Sequence, residues 1–229
     1  MTSKLFALVP AAGGGSRMGG GLPKQYLALA QRPMVYHALA TLCAHTEIDT
    51  VFVVLAPNDR HWQDYDWSSF DTKLRPLFCG GETRAESVLN GLAEAKLAPN
   101  EWILVHDAAR PCLSQEQLAC LIEEVRADDV GGILAVPVAD TLKLADAQHR
   151  IIKTESRAGV WQAQTPQMFR AGLLLRALLA APNSTDDASA VEALGLHPKL
   201  VAGSVSNFKV TYPQDIELAE QLLLQGKKL

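Results

Sequence analysis

Alternation between two kinds of segment constrains this chain more than any other feature. Short apolar runs at Leu5–Pro10, Thr50–Leu55, Leu74–Cys79, Trp102–His106 and Gly132–Pro137 read as buried strands, and stretches with helical spacing separate most of them. Pro33 opens a helix through Met34–Cys43, with Val35, Leu39 and Leu42 on one face. Arg84–Ala95 brings Val88, Leu89 and Leu92 together, and Ser114 caps a helix bearing Leu118, Leu121, Ile122 and Val125. Helical patterns return at Ala171–Ala181, Ser184–Leu194 and Pro213–Leu224. Strands of this kind, with helices between them, form a mostly parallel sheet covered on both faces. The pattern predicts an α/β fold with a doubly wound sheet, in a single domain spanning 1–229.

Composition removes several classes of function. The 21 Lys and Arg against 25 Asp and Glu give a net charge of −4 with no basic block, which argues against a nucleic-acid partner. Cys43, Cys79, Cys112 and Cys120 show no C-x-x-C spacing and are too few for a disulfide scaffold, so a reducing cytoplasm is the expected setting. No segment approaches the ~18 apolar residues of a membrane span. The N-terminal apolar run is broken early by Pro10 and the glycines from Gly13, unlike a signal peptide.

One segment departs from the rhythm. From Asp140 to Gln164 the apolar residues are scattered among Lys143, Asp146, His149, Arg150, Lys153, Glu155 and Arg157. The pieces T-L-K-L and I-I-K-T-E can pair as a hairpin across a turn near Asp146–Gln148. Such an excursion is either a disordered loop or an arm that docks on something.

The stretch V-P-A-A-G-G-G-S-R-M-G-G-G-L-P-K-Q-Y, residues 9–26, follows directly on the first strand, where open α/β sheets bind ligands. A P-loop requires a glycine before its lysine, and none precedes Lys24. A dinucleotide fingerprint fits Gly13 and Gly15 but meets Met18 at its third glycine, and the second strand ends in Ala56-Pro57-Asn58 with no carboxylate. The third reading is a phosphate cradle. Glycines let backbone N–H groups approach an anion, Arg17 supplies a planar fork, and Lys24 a mobile point charge. A flexible surface loop with solvated Arg17 and Lys24 is the plain alternative.

With its A-A-G-x-G-x-R-M…P-K-Q core, this loop resembles that of nucleotidyltransferases. G-G-E-T-R-A-E-S-V at 80–88, V-H-D-A-A-R-P at 105–111 and F-K-V-T-Y-P-Q-D at 208–215 narrow the resemblance. So do D-T-L-K at 140–143 and S-R-A-G-V-W-Q-A-Q-T-P-Q at 156–167. Together they are similar to the 2-C-methyl-D-erythritol 4-phosphate cytidylyltransferases of non-mevalonate isoprenoid synthesis, in order along nearly the whole chain. The resemblance implies a Rossmann-like nucleotidyltransferase that joins CTP to a methylerythritol phosphate and releases pyrophosphate.

It implies roles as well. Arg17 and Lys24 would hold the triphosphate and stabilise charge developing at the α-phosphorus. Ala11, Ala12, Gly13 and Gly15 would line the nucleotide, and Gly81, Glu82 and Ser87 would face the cytosine. Family members often carry Asp where this chain has Glu82, and Ser87 has a plainer role as a helix-start residue bonding its own backbone. Asp107 and Arg110 would meet ribose, phosphates and the second substrate, unless they form only a supporting ion pair. Segment 139–164 would be an extended dimerisation arm whose Thr141, Arg157 and Thr165 complete a second subunit's site, making the protein a homodimer. Lys209 would add a cation to the same phosphate, and Ser206 stands where some relatives carry Asp. Mg2+ would arrive with CTP, touching Asp107 at most, with no dedicated protein cage. Asp186 and Asp187 are explained by first-turn electrostatics of the helix they begin. Alternative readings are a cytidylyltransferase for ribitol 5-phosphate, a nucleotide-binding regulator without turnover, and a nicotinamide dehydrogenase.

Overall fold

The computed structural model describes residues 3–14 and 21–226. In chain order the elements are β1 (Leu5–Pro10), the two-residue strands β2 (Ala28–Leu29) and β3 (Arg32–Pro33), α1 (Met34–Ala44), β4 (Ile48–Val54) and β5 (Leu74–Leu77). There follow α2 (Arg84–Ala95), β6 (Trp102–Val105), α3 (Gln115–Arg126), β7 (Gly131–Pro137), β8 (Leu142–Ala145) and β9 (Ile151–Glu155). The chain continues through β10 (Trp161–Arg170), α4 (Ala171–Ala180), α5 (Asp187–Glu192), β11 (Lys199–Ala202) and α6 (Gln214–Gly226).

Seven strands form the central sheet in the order β11-β7-β10-β6-β1-β4-β5. All neighbours run parallel except β10, which is antiparallel to both β6 and β7. Both faces are apolar because alternate strand residues are apolar on each. Leu5, Ala7 and Val9 pack with Val35, Leu39 and Leu42 of α1 and Leu118, Leu121 and Val125 of α3. Phe6 and Leu8 pack on the opposite face with Val88 and Leu92 of α2 and Leu174 and Leu178 of α4. At Gly91 a Cβ would meet Val54 Cγ2 at 2.5 Å, so α2 lies close on the sheet there.

Helix starts follow local chemistry. Ser114 forms a capping box with Gln117, and Thr83 accepts from Glu86 N–H at the start of α2. The helix expected from Ser184 begins instead after Asp186, whose side chain accepts from Ser189 N–H at 2.9 Å.

Two strands of the central sheet escaped the sequence pattern. In β10 the buried positions include Gln164, Thr165 and Gln167, so no apolar run marks it. β11 is a four-residue edge strand with Leu200 exposed. The polar excursion is the β8–β9 hairpin, paired only with itself and turned by Asp146, whose Oδ1 accepts from the backbone N–H of Gln148 and Arg150. Within 139–164, the segment expected as an arm, Trp161, Gln162 and Ala163 pair with Pro137, Val136 and Ala135 of the central sheet.

Candidate active site

From β1 the chain order moves first to β4 on one side and later to β6 on the other, which opens a crevice at the carboxyl ends of β1 and β6. A cleft of about 290 Å³ lies there. Its floor is the turn after β1, with Ala11, Ala12 and Gly13 on the lining. Gln25 donates to Ala11 O at 2.6 Å, fastening the short 3-10 turn Lys24–Tyr26 so that Lys24 lines the same cleft. Tyr26 anchors the turn's far end by donating to Asp59 at 2.8 Å.

The opposite rim is the loop entering α2. A Cβ on Gly80 would collide with Ala12 Cβ and come within 2.8 Å of Leu55 O, so only glycine lets these two loops meet. Gly81, Glu82 and Ser87 line the cleft. The Ser87 hydroxyl donates to Thr83 O at 2.9 Å and accepts from Gly81 N–H at 3.1 Å, so it shapes the loop, as a helix-start residue would. Glu82 is exposed, and its N–H donates to Glu86 at 2.7 Å.

The third wall is the segment after β6, and here charge is buried. Asp107 Oδ1 accepts from Arg84 Nε at 2.8 Å, and Oδ2 from Lys209 Nζ at 2.7 Å. Arg84 Nη2 also donates to Asp187 Oδ2 at 2.8 Å. Burial alone would raise the Asp107 carboxyl, but Arg84 and Lys209 outweigh it and hold it far below the usual carboxylate range. Asp187 moves the other way: burial pushes it up by more than Arg84 pulls it down, and Asp107 and Asp186 add repulsion. Arg110 stands 4.0 Å from Asp107 and is spent mainly on Asn207 O at 2.7 Å, so it is not the chief partner of Asp107.

A second cavity of about 110 Å³ shares this wall, with Arg84, Asp107 and Lys209 lining both, and Arg110 and Thr165 lining the smaller. His106 organises it. Its Nε2 faces Arg110 O at 3.0 Å, a group that only accepts, so the proton is assigned to Nε2. Nδ1 then accepts from the Thr165 hydroxyl at 3.0 Å, and Thr165 Oγ1 accepts from Asp107 N–H at 3.0 Å. Burial holds His106 down to about 4, hence neutral, which makes it a strut.

The chain matches the family described as "IspD: 2-C-methyl-D-erythritol 4-phosphate cytidylyltransferase" over residues 5–225. It is 58% identical over 228 residues to the enzyme of that name from Nitrosospira multiformis, covering 97% of this chain and 98% of the relative. A crystal structure titled 4-diphosphocytidyl-2C-methyl-D-erythritol synthase superposes with a TM-score of 0.86 at 43% identity, covering 97% of this chain and all of the other. The cytidylyltransferase of Francisella tularensis gives 0.82 at 33%, covering 96% of this chain and 100% of the other. The chain belongs to this cytidylyltransferase family.

Of the positions the family resemblance singled out, the structure gathers Ala11, Ala12, Gly13, Lys24, Gly81, Glu82, Ser87, Asp107 and Lys209 around the larger cleft. Asp107, Arg110, Thr165 and Lys209 meet at the smaller cavity. Gly15 and Arg17 lie outside the described residues. Thr141 and Arg157 are exposed, one before β8 and one after β9, and line neither cavity. Sequence reasoning missed Arg84, whose partners lie 23 and 103 positions away, and Asn207, which donates to Thr165 O at 2.8 Å. It also assigned Asp187 to helix electrostatics. Asp186 does cap, but Asp187 is buried against Arg84.

Proposed function

We propose that this cytidylyltransferase transfers CMP from CTP to 2-C-methyl-D-erythritol 4-phosphate, giving 4-diphosphocytidyl-2-C-methyl-D-erythritol and pyrophosphate. The observation that carries the reading is the family match over residues 5–225 together with two adjoining cavities that share one charged wall. A phosphate oxygen of the sugar alcohol attacks the α-phosphorus, the new P–O bond forms, and the bond to the bridging oxygen breaks with its electron pair leaving on pyrophosphate. The nucleophile is already anionic, so no general base is required. The work is positioning and charge neutralisation.

In this reading the larger cleft takes CTP. Backbone around Ala11–Gly13 and the cations Arg17 and Lys24 hold the triphosphate, and the Gly81–Ser87 loop reads cytosine. Arg110, Thr165 and Lys209 face the methylerythritol phosphate. Among the described residues no three His, Cys, Asp or Glu side chains cluster as a metal site. Both Asp107 oxygens are engaged, and Glu82 is the other carboxylate on the cleft lining, so a divalent ion suits this site with phosphate oxygens as its main ligands. Bound there, Mg2+ would neutralise triphosphate charge.

The arm belongs to a homodimer in this reading. An isolated two-stranded hairpin is marginal in water, and this one exposes Ile151 at 66% and Ile152 at 60%. A second copy that covers them would bring the partner subunit's Thr141 and Arg157 to the sugar phosphate. Among the described residues no helix is long and apolar enough to cross a membrane. The four cysteines are free thiols, which suits a cytoplasmic setting.

Pyrophosphate release tests the reading. With Mg2+ present, CTP, ATP, UTP and GTP are each offered with methylerythritol 4-phosphate or ribitol 5-phosphate. Release with CTP and methylerythritol phosphate alone is expected. Release only with ribitol phosphate would overturn the substrate, and CTP binding without release from any pair would overturn the activity.

A further inference from the structure

The wall between the two cavities carries an unusual arrangement of charge. Arg84 serves two carboxylates at once, Asp107 through Nε and Asp187 through Nη2, each at 2.8 Å. Asp107 passes the chain on to Lys209 at 2.7 Å. Asp187 lies at the far end, fully buried, lining neither cavity. Its position is fixed from two sides. Asp186 caps α5, and Gln167 of β10 donates to Asp186 at 2.8 Å while accepting from Ala188 N–H at 2.8 Å.

A buried carboxylate with a single cation is costly to keep for stability alone, and an apolar residue of similar size often serves as well. Among the described residues Asp187 Oδ1 has no hydrogen-bond partner, which makes the site still less economical as a structural pair. What Asp187 does control is Arg84. A guanidinium left with Asp107 alone closes on it with two parallel bonds, its preferred geometry with a carboxylate. That would bring a second cationic donor onto Oδ2, in competition with Lys209 for its place there. With Asp187 holding Nη2, Arg84 offers Asp107 only Nε, and Oδ2 is left to orient the lysine.

We propose that Asp187 is a positioning residue, which by dividing Arg84 between two carboxylates keeps Lys209 fixed at the shared wall facing the sugar phosphate. It touches no substrate. Its effect passes through Arg84 and Asp107 to Lys209, which lines both cavities and, in the cytidylyltransferase reading, faces the sugar phosphate beside Arg110 and Thr165. The inference rests on the cytidylyltransferase reading. Wild-type turnover of CTP with methylerythritol phosphate tests that reading separately, and only the ratios between variants bear on Asp187.

The test is steady-state kinetics on Asp187→Asn, Arg84→Lys and the double variant, with the Tm of each recorded. Asp187→Asn keeps shape and removes the charge. It is expected to raise the KM for the sugar phosphate about tenfold, leaving the KM for CTP within about twofold. A lysine lacks the two separate nitrogens, Nε and Nη2, through which Arg84 holds its two carboxylates. Arg84→Lys should therefore show the same split, and Asp187→Asn should add less than about twofold on that background. A merely structural role would lower Tm and the active fraction while leaving both KM values unchanged, and that result overturns the proposal. So would fully additive KM effects in the double variant. Should Asp187→Asn fail to fold, Arg84→Lys decides alone, and equal rises in both KM values would refute the assignment.

Discussion

The charged wall between the cavities and the β8–β9 hairpin carry charge in opposite ways. In the wall, Arg84, Asp107, Asp187 and Lys209 hold one another at 2.7–2.8 Å, and His106, Thr165 and Asn207 fasten the backbone around them. Every position there is dictated from within the chain. In the arm, Lys143 donates to Thr154 and Lys153 pairs with Glu155, but these are exposed contacts inside one hairpin and contribute little. Thr141 and Arg157 gain nothing from their own chain's cavities. The wall's charges are thus partnered within one chain, whereas the hairpin's are not drawn into either cavity, and the proposed dimer is what would give them a site.

The difference can be broken from the wall side first. Asp107→Ala leaves Arg84 and Lys209 without their shared carboxylate. Turnover is expected to fall by roughly 10²–10³, and stability by about 3–5 kcal/mol as for other broken buried pairs. Kinetics with calorimetry checks both, and loss of only one would separate site from scaffold. From the arm side, Arg157→Ala is expected to raise the KM for the sugar phosphate about tenfold with Tm unchanged. A drop in Tm comparable to that of Asp107→Ala would erase the contrast. Replacing Ile151 and Ile152 by serine should shift the protein toward monomer in sedimentation, with activity falling in step and the far-UV spectrum unaltered.

A smaller effect sharpens the picture of the wall. Burial holds His106 down to about 4 against an ordinary 6.5. The unfolded chain therefore binds its proton first as pH falls. The stability that depends on neutral His106 is intact above about 6.5 and is lost as pH drops from there toward about 4. A Tm series over that window should show the decline, and His106→Asn should flatten it. A decline that persists unchanged in the variant would place its origin elsewhere.

Much of the fold was legible in the sequence because parallel strands buried on both faces are written as apolar runs. The runs found β1 and β6 to within one residue and β4 and β5 to within two, and helical spacing found α2 to the residue. β10 was invisible for the same reason the site works. Gln164, Thr165 and Gln167 are buried because they hydrogen-bond Asn207, His106 and the start of α5, and polar residues buried for that purpose imitate a loop. At the site, residues adjacent in sequence motifs were found readily. Arg84 sat inside a motif already singled out, yet its meaning depends on Asp107 and Asp187, which only the folded sheet brings to it. Asp187 looked like an ordinary first-turn acid because its neighbour Asp186 is one.

The central claim is that a wall complete in one chain and an arm supplied by another make a single site. Mixing the Lys24→Ala and Arg157→Ala proteins at a sugar phosphate concentration well below the KM, where each alone turns over slowly, and with subunit exchange verified, tests it most directly. Random pairing makes half of the dimers mixed, and each mixed dimer carries one site with both residues intact, so activity should return to roughly a quarter of wild type. Activity no higher than the average of the two parent variants, with mixed dimers demonstrably present, would contradict the claim.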